Sequence, residues 1–412
     1  MRKETFRSAK IRGRSELVDI GISDGVIAEI SERIAQKAVK ELNAEGNLIT
    51  PSFVNPHEHL DTAMISESTR PNMSGTLFEG IEILREAKKK YTVGDVKKGA
   101  VNAIHMLVEN GTTIIRSHAN VDSVTQLNSI NGLVEARKEC KDLVTLQIVA
   151  LPQEGLIRDQ STAELMRKSM EAGADIVGGI PAYENTEEDS KKHIDIVFDI
   201  AKEFGAGIDM HVDENDDPNS RNLQYFATKS IKEHISNATA SHACALASYD
   251  DSYAAKVIGL VKEAKMSVIA NPCTNLMLQG RFDKQPIRRG LTRVKELNTV
   301  GVNVACGQDG INDTFDPLSG KCDMLQIAWI MGHAAQLSTP SEVDLLFDMI
   351  TKNAAKALGI KRFGLDVGNE ANLNIIDAKD VCQAIRMQSD RLYVIRLGNV
   401  VAGTKMNSNN GF

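Results

Sequence analysis

Two histidines one residue apart, His57 and His59, stand in the segment NPHEHLDTA just after an apolar run. On a strand, residues i and i+2 point to the same side, so these imidazoles project together, about 7 Å apart along the chain. That leaves room for an ion between their tips. Alone, the pair is either half of a metal site or two histidines sharing a face. Further on, HVDE supplies another imidazole, His211, with a carboxylate, Glu214, beyond it. Imidazole nitrogens and one carboxylate suit Zn2+ or Fe2+ with a position left open for water. Such an ion lowers the pKa of that water toward about 7. A carboxylate outside the ligand set can then carry protons.

Residues this far apart need a scaffold that gathers strand ends. The middle of the chain alternates short apolar runs with stretches of helical spacing. In TVGDVKKGAVNAIHMLVENG, residues Val96, Ala100, Ala103, Leu107 and Val108 mark one face, and Gly111 is placed to end the helix. The strand candidates are SFVNPHEH, TTIIRSHAN, LVTLQIVALPQ, ADIVGGIP, GIDMHVDE, ATASHAC, MSVIANP and VNVACGQD. Eight strands, most with a following helix, is the count of a (β/α)8 TIM barrel. A doubly wound sheet is the rival, but no G-x-G-x-x-G follows the first strand.

In such a barrel the reacting side chains come from the C-terminal strand ends. Polar residues cluster there: His57 and His59, His118 and Asn120, Gln153 and Glu154, His211 with Asp213 and Glu214, His242, then Gln308 and Asp309. Five of the nine histidines occupy these ends, while His105, His193, His234 and His333 fall on helices or loops. The first ~50 and last ~50 residues read instead as short strands punctuated by Gly, Asn and Asp, with no sustained helical period. They are expected to form one small β-sandwich domain from both termini. The expected boundaries are 1–50 and 361–412 for its halves and 51–360 for the barrel.

The net charge of −7 over 412 residues argues against a general nucleic-acid binder. Cys140, Cys244, Cys273, Cys306, Cys322 and Cys382 form no C-x-x-C pair and read as free thiols of a reducing compartment, the cytoplasm. The N-terminus has no apolar signal-peptide core, and no apolar run is long enough to span a membrane.

The ordered motifs PSFVNPHEHLDT, SGTLFEGIE, LQIVALPQEG, HVDENDD, ASHACAL, LQGRFDKQPIRRGLTRVKEL and, more loosely, GQDGINDTFDPLSGKCDMLQ resemble the amidohydrolase superfamily, in its cytosine deaminase branch. The resemblance covers most of the chain. It implies one divalent metal, Zn2+ or Fe2+, on His57, His59, His211 and Asp309. It makes His242 the partner of the reacting water, Glu214 the proton shuttle and Gln153 the amide that reads the ring. Leu77 and Phe78 lie in the segment expected to line the pocket. The fourth strand ends VGGIP, without the lysine that bridges two metals in binuclear members.

The substrate wall departs from the family pattern. After the last strand the chain reads Gln308-Asp309-Gly310 where the family usually has His-Asp-Asp. Thr314 and Phe315 stand where a Trp is expected, and Asn120 where an Asp is common. The only Trp, Trp329, is expected in the core. Gly310 is expected to leave its side of the pocket open. The implied activity is hydrolytic deamination of a small cyclic amidine or aminopyrimidine: cytosine, creatinine, 5-methylcytosine or isoguanine. A ring-opening cyclic amidohydrolase and a non-catalytic binding paralogue are the rivals. The resemblance also implies a homo-oligomer.

Overall fold

The computed structural model describes residues 4–405 except residue 236. The first strands are β1 (Glu4–Ala9), β2 (Val18–Ser23), β3 (Val26–Ser31) and β4 (Lys40–Asn43), in the sheet order β3-β2-β1-β4. Between β2 and β3, Asp24 and Gly25 have φ of 51° and 76°. Two left-handed residues in a two-residue loop match the twist of a hairpin, which is why Asp-Gly recurs there.

The next strand, β5 (Leu48–Pro51), leads into the barrel: β6 (Phe53–Glu58), β7 (Thr112–Asn120), β8 (Thr145–Leu151), β9 (Ile176–Gly179), β10 (Gly207–Val212), β11 (Ala238–His242), β12 (Ser267–Ala270) and β13 (Asn303–Cys306). These are the eight strands expected, all parallel and in sequential order. The barrel closes between its first and last strands. Asp309 N–H donates to His57 O at 2.9 Å, and His59 N–H donates to Asp309 O at 2.9 Å. Closure therefore brings the two ends of the barrel sequence to the same spot.

The helix Val93–Glu109 begins on a reciprocal cap between Thr92 and Asp95 and buries Val96, Ala100, Ala103, Leu107 and Val108. Gly111, at φ 89°, ends it in a conformation that suits glycine.

Near the C-terminus, β14 (Leu373–Ile376), β15 (Arg391–Arg396) and β16 (Asn399–Ala402) join β5 in the order β16-β15-β14-β5. Phe6, Ile20, Ile22, Ile49, Leu373, Ile375 and Ile395 form one apolar cluster, so both ends of the chain share a core. One short helix, Val381–Met387, capped by Asp380, joins the C-terminal strands; at seven residues it displays no period. One expectation needs correction. Trp329 is 42% exposed and packs on His333, because its helix turns Met324, Leu325, Ala328 and Met331 inward instead. Among the described residues, no helix is long and apolar enough to cross a membrane.

Candidate active site at the barrel mouth

His57 is fully buried on β6, and its hydrogen bonds fix which nitrogen carries the proton. Ser241 Oγ on β11 donates to Asp209 Oδ1 at 2.7 Å, since a carboxylate only accepts. The same hydroxyl must therefore accept from His57 Nδ1, 2.9 Å away. Asp209 is in turn held by Arg116 Nη1 at 2.9 Å, and Arg116 by Gln147 Oε1. In neutral His57 this leaves Nε2 as a bare lone pair. It is buried without a hydrogen-bond partner and faces Asp309 Oδ1 at 3.1 Å. A lone pair against a carboxylate is repulsive unless positive charge lies between them.

The other donors converge on the same point. His59 Nε2 lies 3.1 Å from His211 Nε2 and 3.4 Å from Asp309 Oδ1. Ligand atoms of His57, His211, His242 and Asp309 all lie within 4.8 Å of one another. Burial holds His211 well below the usual imidazole range, keeping it neutral with a lone pair to offer. Burial would raise Asp309, but the neighbouring imidazoles of His242, His57 and His59 override it and hold the carboxyl well below its ordinary value. Imidazole nitrogens converging on an ionised carboxylate are a donor set that fits a divalent cation.

Glu214 lies just past the end of β10. Burial, aided by the charge of Asp309, pushes its carboxyl well above the ordinary range. Its Oε1 is 3.4 Å from His242 Nδ1. Asn275 Nδ2 lies 2.9 Å from that same nitrogen, with Asn271 beside it. Burial lowers His242 to about 3. His242 and Asp309 adopt φ of 67° and 78°, a costly conformation for non-glycine residues that here aims both side chains into the mouth.

His59, Leu77, Gln153, Ile180, His211, Glu214, Thr274, Leu278, Asp309, Asp313 and Phe315 line one small cavity. Of the residues singled out from sequence, the structure thus gathers His59, His211, Glu214, Asp309, Gln153, Leu77 and Phe315 around one space, with His57 and His242 packed against it. Phe78 is not there. It is 66% exposed, because the helix Leu77–Lys88 buries Gly80, Ile81, Ile83 and Leu84 and turns its second residue outward. Asp213 also turns away, accepting from Ser220, Asn222 and Leu223. Asn120 binds Asp61, and Glu154 pairs with buried Lys88 at 2.9 Å behind Gln153.

The expected opening beside Gly310 is absent. The Asp313 carboxylate fills it: a Cβ built on Gly310 would overlap Asp313 Oδ2. Sequence reasoning also missed the Arg116–Asp209–Ser241 support. Period two could have revealed part of it, since Arg116 stands two residues before His118 and Asp209 two before His211. His118, near the end of β7, has its ring 4.1 Å from that of His57, tilted by 36°, with both nitrogens buried and without a hydrogen bond.

Known proteins share this architecture. A model described as "Amidohydrolase family" matches residues 69–404. The chain is 37% identical to the crystal structure of 5-methylcytosine deaminase from Klebsiella pneumoniae liganded with 5-fluorocytosine, with a TM-score of 0.92 and 97% of each chain covered. It is 31% identical to N-isopropylammelide isopropyl amidohydrolase of Pseudomonas sp. (strain ADP) over 96% of both chains. It is 30% identical to pterin deaminase of Rhizobium rhizogenes, over 93% of this chain and 87% of the relative.

Proposed function

The chain belongs to the amidohydrolase family, and from that premise we propose that it is a metal-dependent hydrolytic deaminase of a small cyclic aminopyrimidine or amidine. The observation that carries this reading is the placement of Glu214. A carboxyl with a raised proton affinity shares one cavity with His59, His211, Asp309 and the Gln153 amide. Enzymes tune acid–base groups in this way so that they can both take and give a proton near neutrality.

His57, His59, His211 and Asp309 would hold one divalent ion, Zn2+ or Fe2+. When bound, the ion supplies Lewis acidity and makes water a stronger acid. Gln153 orients the ring through its amide, which both donates and accepts. Glu214 takes a proton from the attacking water and passes it to the ring nitrogen beside the amine-bearing carbon. Asp309 and His242 take the second proton and return it to the departing amine. One C–O bond forms, one C–N bond breaks, and ammonia leaves behind a ring carbonyl. Leu77 and Phe315 pack on the ring faces, and exclusion of water there strengthens each polar contact.

The likeness to 5-methylcytosine deaminase favours an aminopyrimidine, cytosine or 5-methylcytosine, over creatinine or isoguanine. A ring-opening reaction fits less well, since β9 leads into Ile180 and Pro181 with no lysine. The reaction is the hydrolysis of a non-peptide C–N bond, and free thiols fit a cytoplasmic setting. The test is ammonia release by metal-replete protein from cytosine, 5-methylcytosine, isoguanine and creatinine. Ammonia from at least one aminopyrimidine is expected. Ring opening without ammonia, or no turnover of the panel, would reject the assignment.

A further inference from the structure

The cavity has one polar wall that the proposed reaction leaves without a role. Asp313 lies four residues past Asp309 and is 3% exposed. Its Oδ1 accepts from the backbone N–H groups of Phe315 at 2.8 Å and Asp316 at 2.9 Å, closing a tight turn. Its Oδ2 takes part in no hydrogen bond among the described residues, although Asp313 lines the same cavity as Gln153 and Glu214. A carboxylate oxygen that meets the cavity without a donor from the protein is free to accept from a bound molecule.

Gly310 is what lets that oxygen reach the cavity. Its φ lies outside the left-handed region, so no backbone conformation demands glycine there. Space does: any β-carbon would overlap Asp313 Oδ2. Two residues that look unrelated in sequence thus share one volume.

We infer that Asp313 is a specificity-determining residue whose free carboxylate oxygen accepts a hydrogen bond from an N–H of the substrate, with Gly310 kept small to admit it. This rests on the deaminase reading. The chemical consequence differs from that of Gln153. An amide can turn either end to a ring, whereas a carboxylate only accepts. Asp313 therefore selects rings that present an N–H or amino group on that edge and rejects those that present a carbonyl or a methyl. Burial pushes the Asp313 carboxyl to about 6 against the pull of its two backbone donors, which leaves it mainly ionised at neutral pH.

The rival role is purely structural, the shaping of the turn. Asp313→Asn separates the two, because the amide oxygen can keep accepting from Phe315 and Asp316 while an NH2 replaces the free oxygen. With cytosine and 5-methylcytosine as probes, kcat/KM should fall about 10- to 100-fold, the scale of one hydrogen bond to a charged group. Metal content and thermal midpoint should stay at wild-type values. Gly310→Ala should reproduce the fall by evicting the carboxylate, and Gly310→Ala/Asp313→Ala should be no worse than Asp313→Ala, since both remove one contact. A fall of less than about threefold in Asp313→Asn, or additive losses in the double variant, overturns the inference. If wild-type protein releases ammonia from neither probe, the deaminase reading falls and takes this inference with it. If wild type turns them over and Asp313→Asn does so with kcat/KM within about threefold of wild type, only this inference falls.

Discussion

Strands build the floor of the cavity, and loops and helix starts beyond the strand ends build its walls. His57, His211 and His242 lie on β6, β10 and β11, and His59 and Asp309 flank the backbone bonds that close the barrel. His57 in particular is held by neighbours that are themselves held, in the run through Ser241 and Asp209 to Arg116. Leu77, Leu278 and Phe315 instead stand outside the barrel strands. Phe315 lies against Gly80 and is fixed mainly by the Asp313 turn and by Thr314 Oγ1 donating to Gly80 O at 3.1 Å. The floor is over-determined and the walls are lightly tied. Chemistry common to a family suits the first, and substrate choice suits the second.

Breaking the floor should cost most. His211→Ala removes one donor from a converging set, and metal analysis should show near-complete loss of the ion with loss of turnover. Full metal content in that variant would mean that the cluster is not the metal site. Glu214→Gln should leave the metal in place while lowering kcat by about 10²- to 10⁴-fold, the usual worth of a positioned acid–base group. A near-normal kcat would hand the shuttle to another residue.

One layer below, the effect should shrink. Ser241→Ala leaves every ligand present but removes the acceptor that sets the His57 tautomer. Loss of such support costs about 10- to 100-fold in metal affinity. A competition titration with a chelator would measure it. An unchanged affinity would show that Asp309 and closure of the barrel orient His57 without help.

The same contrast explains what could be read from sequence. Strand ends have a fixed direction and a period of two, so His57, His59, His211 and Asp309 could be placed at one mouth from spacing and strand count alone. Val96, Ala100, Ala103 and Leu107 likewise announce their face. Walls carry no such period. Gly310 reads as a lost side chain because nothing local says that Asp313 bends back into its place. Trp329 sits in a helix apolar nearly all round, MLQIAWIMGHA, where pattern cannot choose a face.

Phe78 gives the smallest and most discriminating test of the contrast between floor and wall. It and Leu77 are neighbours at the start of one helix, capped by Thr76 accepting from Glu79 N–H, and sequence alone offers no reason to separate them. Successive helical residues are turned about 100° apart, so only one can face the cavity. Leu77 lines it, while Phe78 is 66% exposed. If the wall acts by contact with the ring, Leu77→Ala should raise KM or lower kcat/KM by about tenfold or more, the worth of lost pocket methylenes. Phe78→Ala should change kcat/KM by less than about twofold, as a surface substitution away from the site does. Measured on one aminopyrimidine, the ratio between the two variants is the readout. A ratio near one would mean that the helix start moves as a unit when substrate enters. The wall would then be defined by its motion rather than by the side chains that line it at rest.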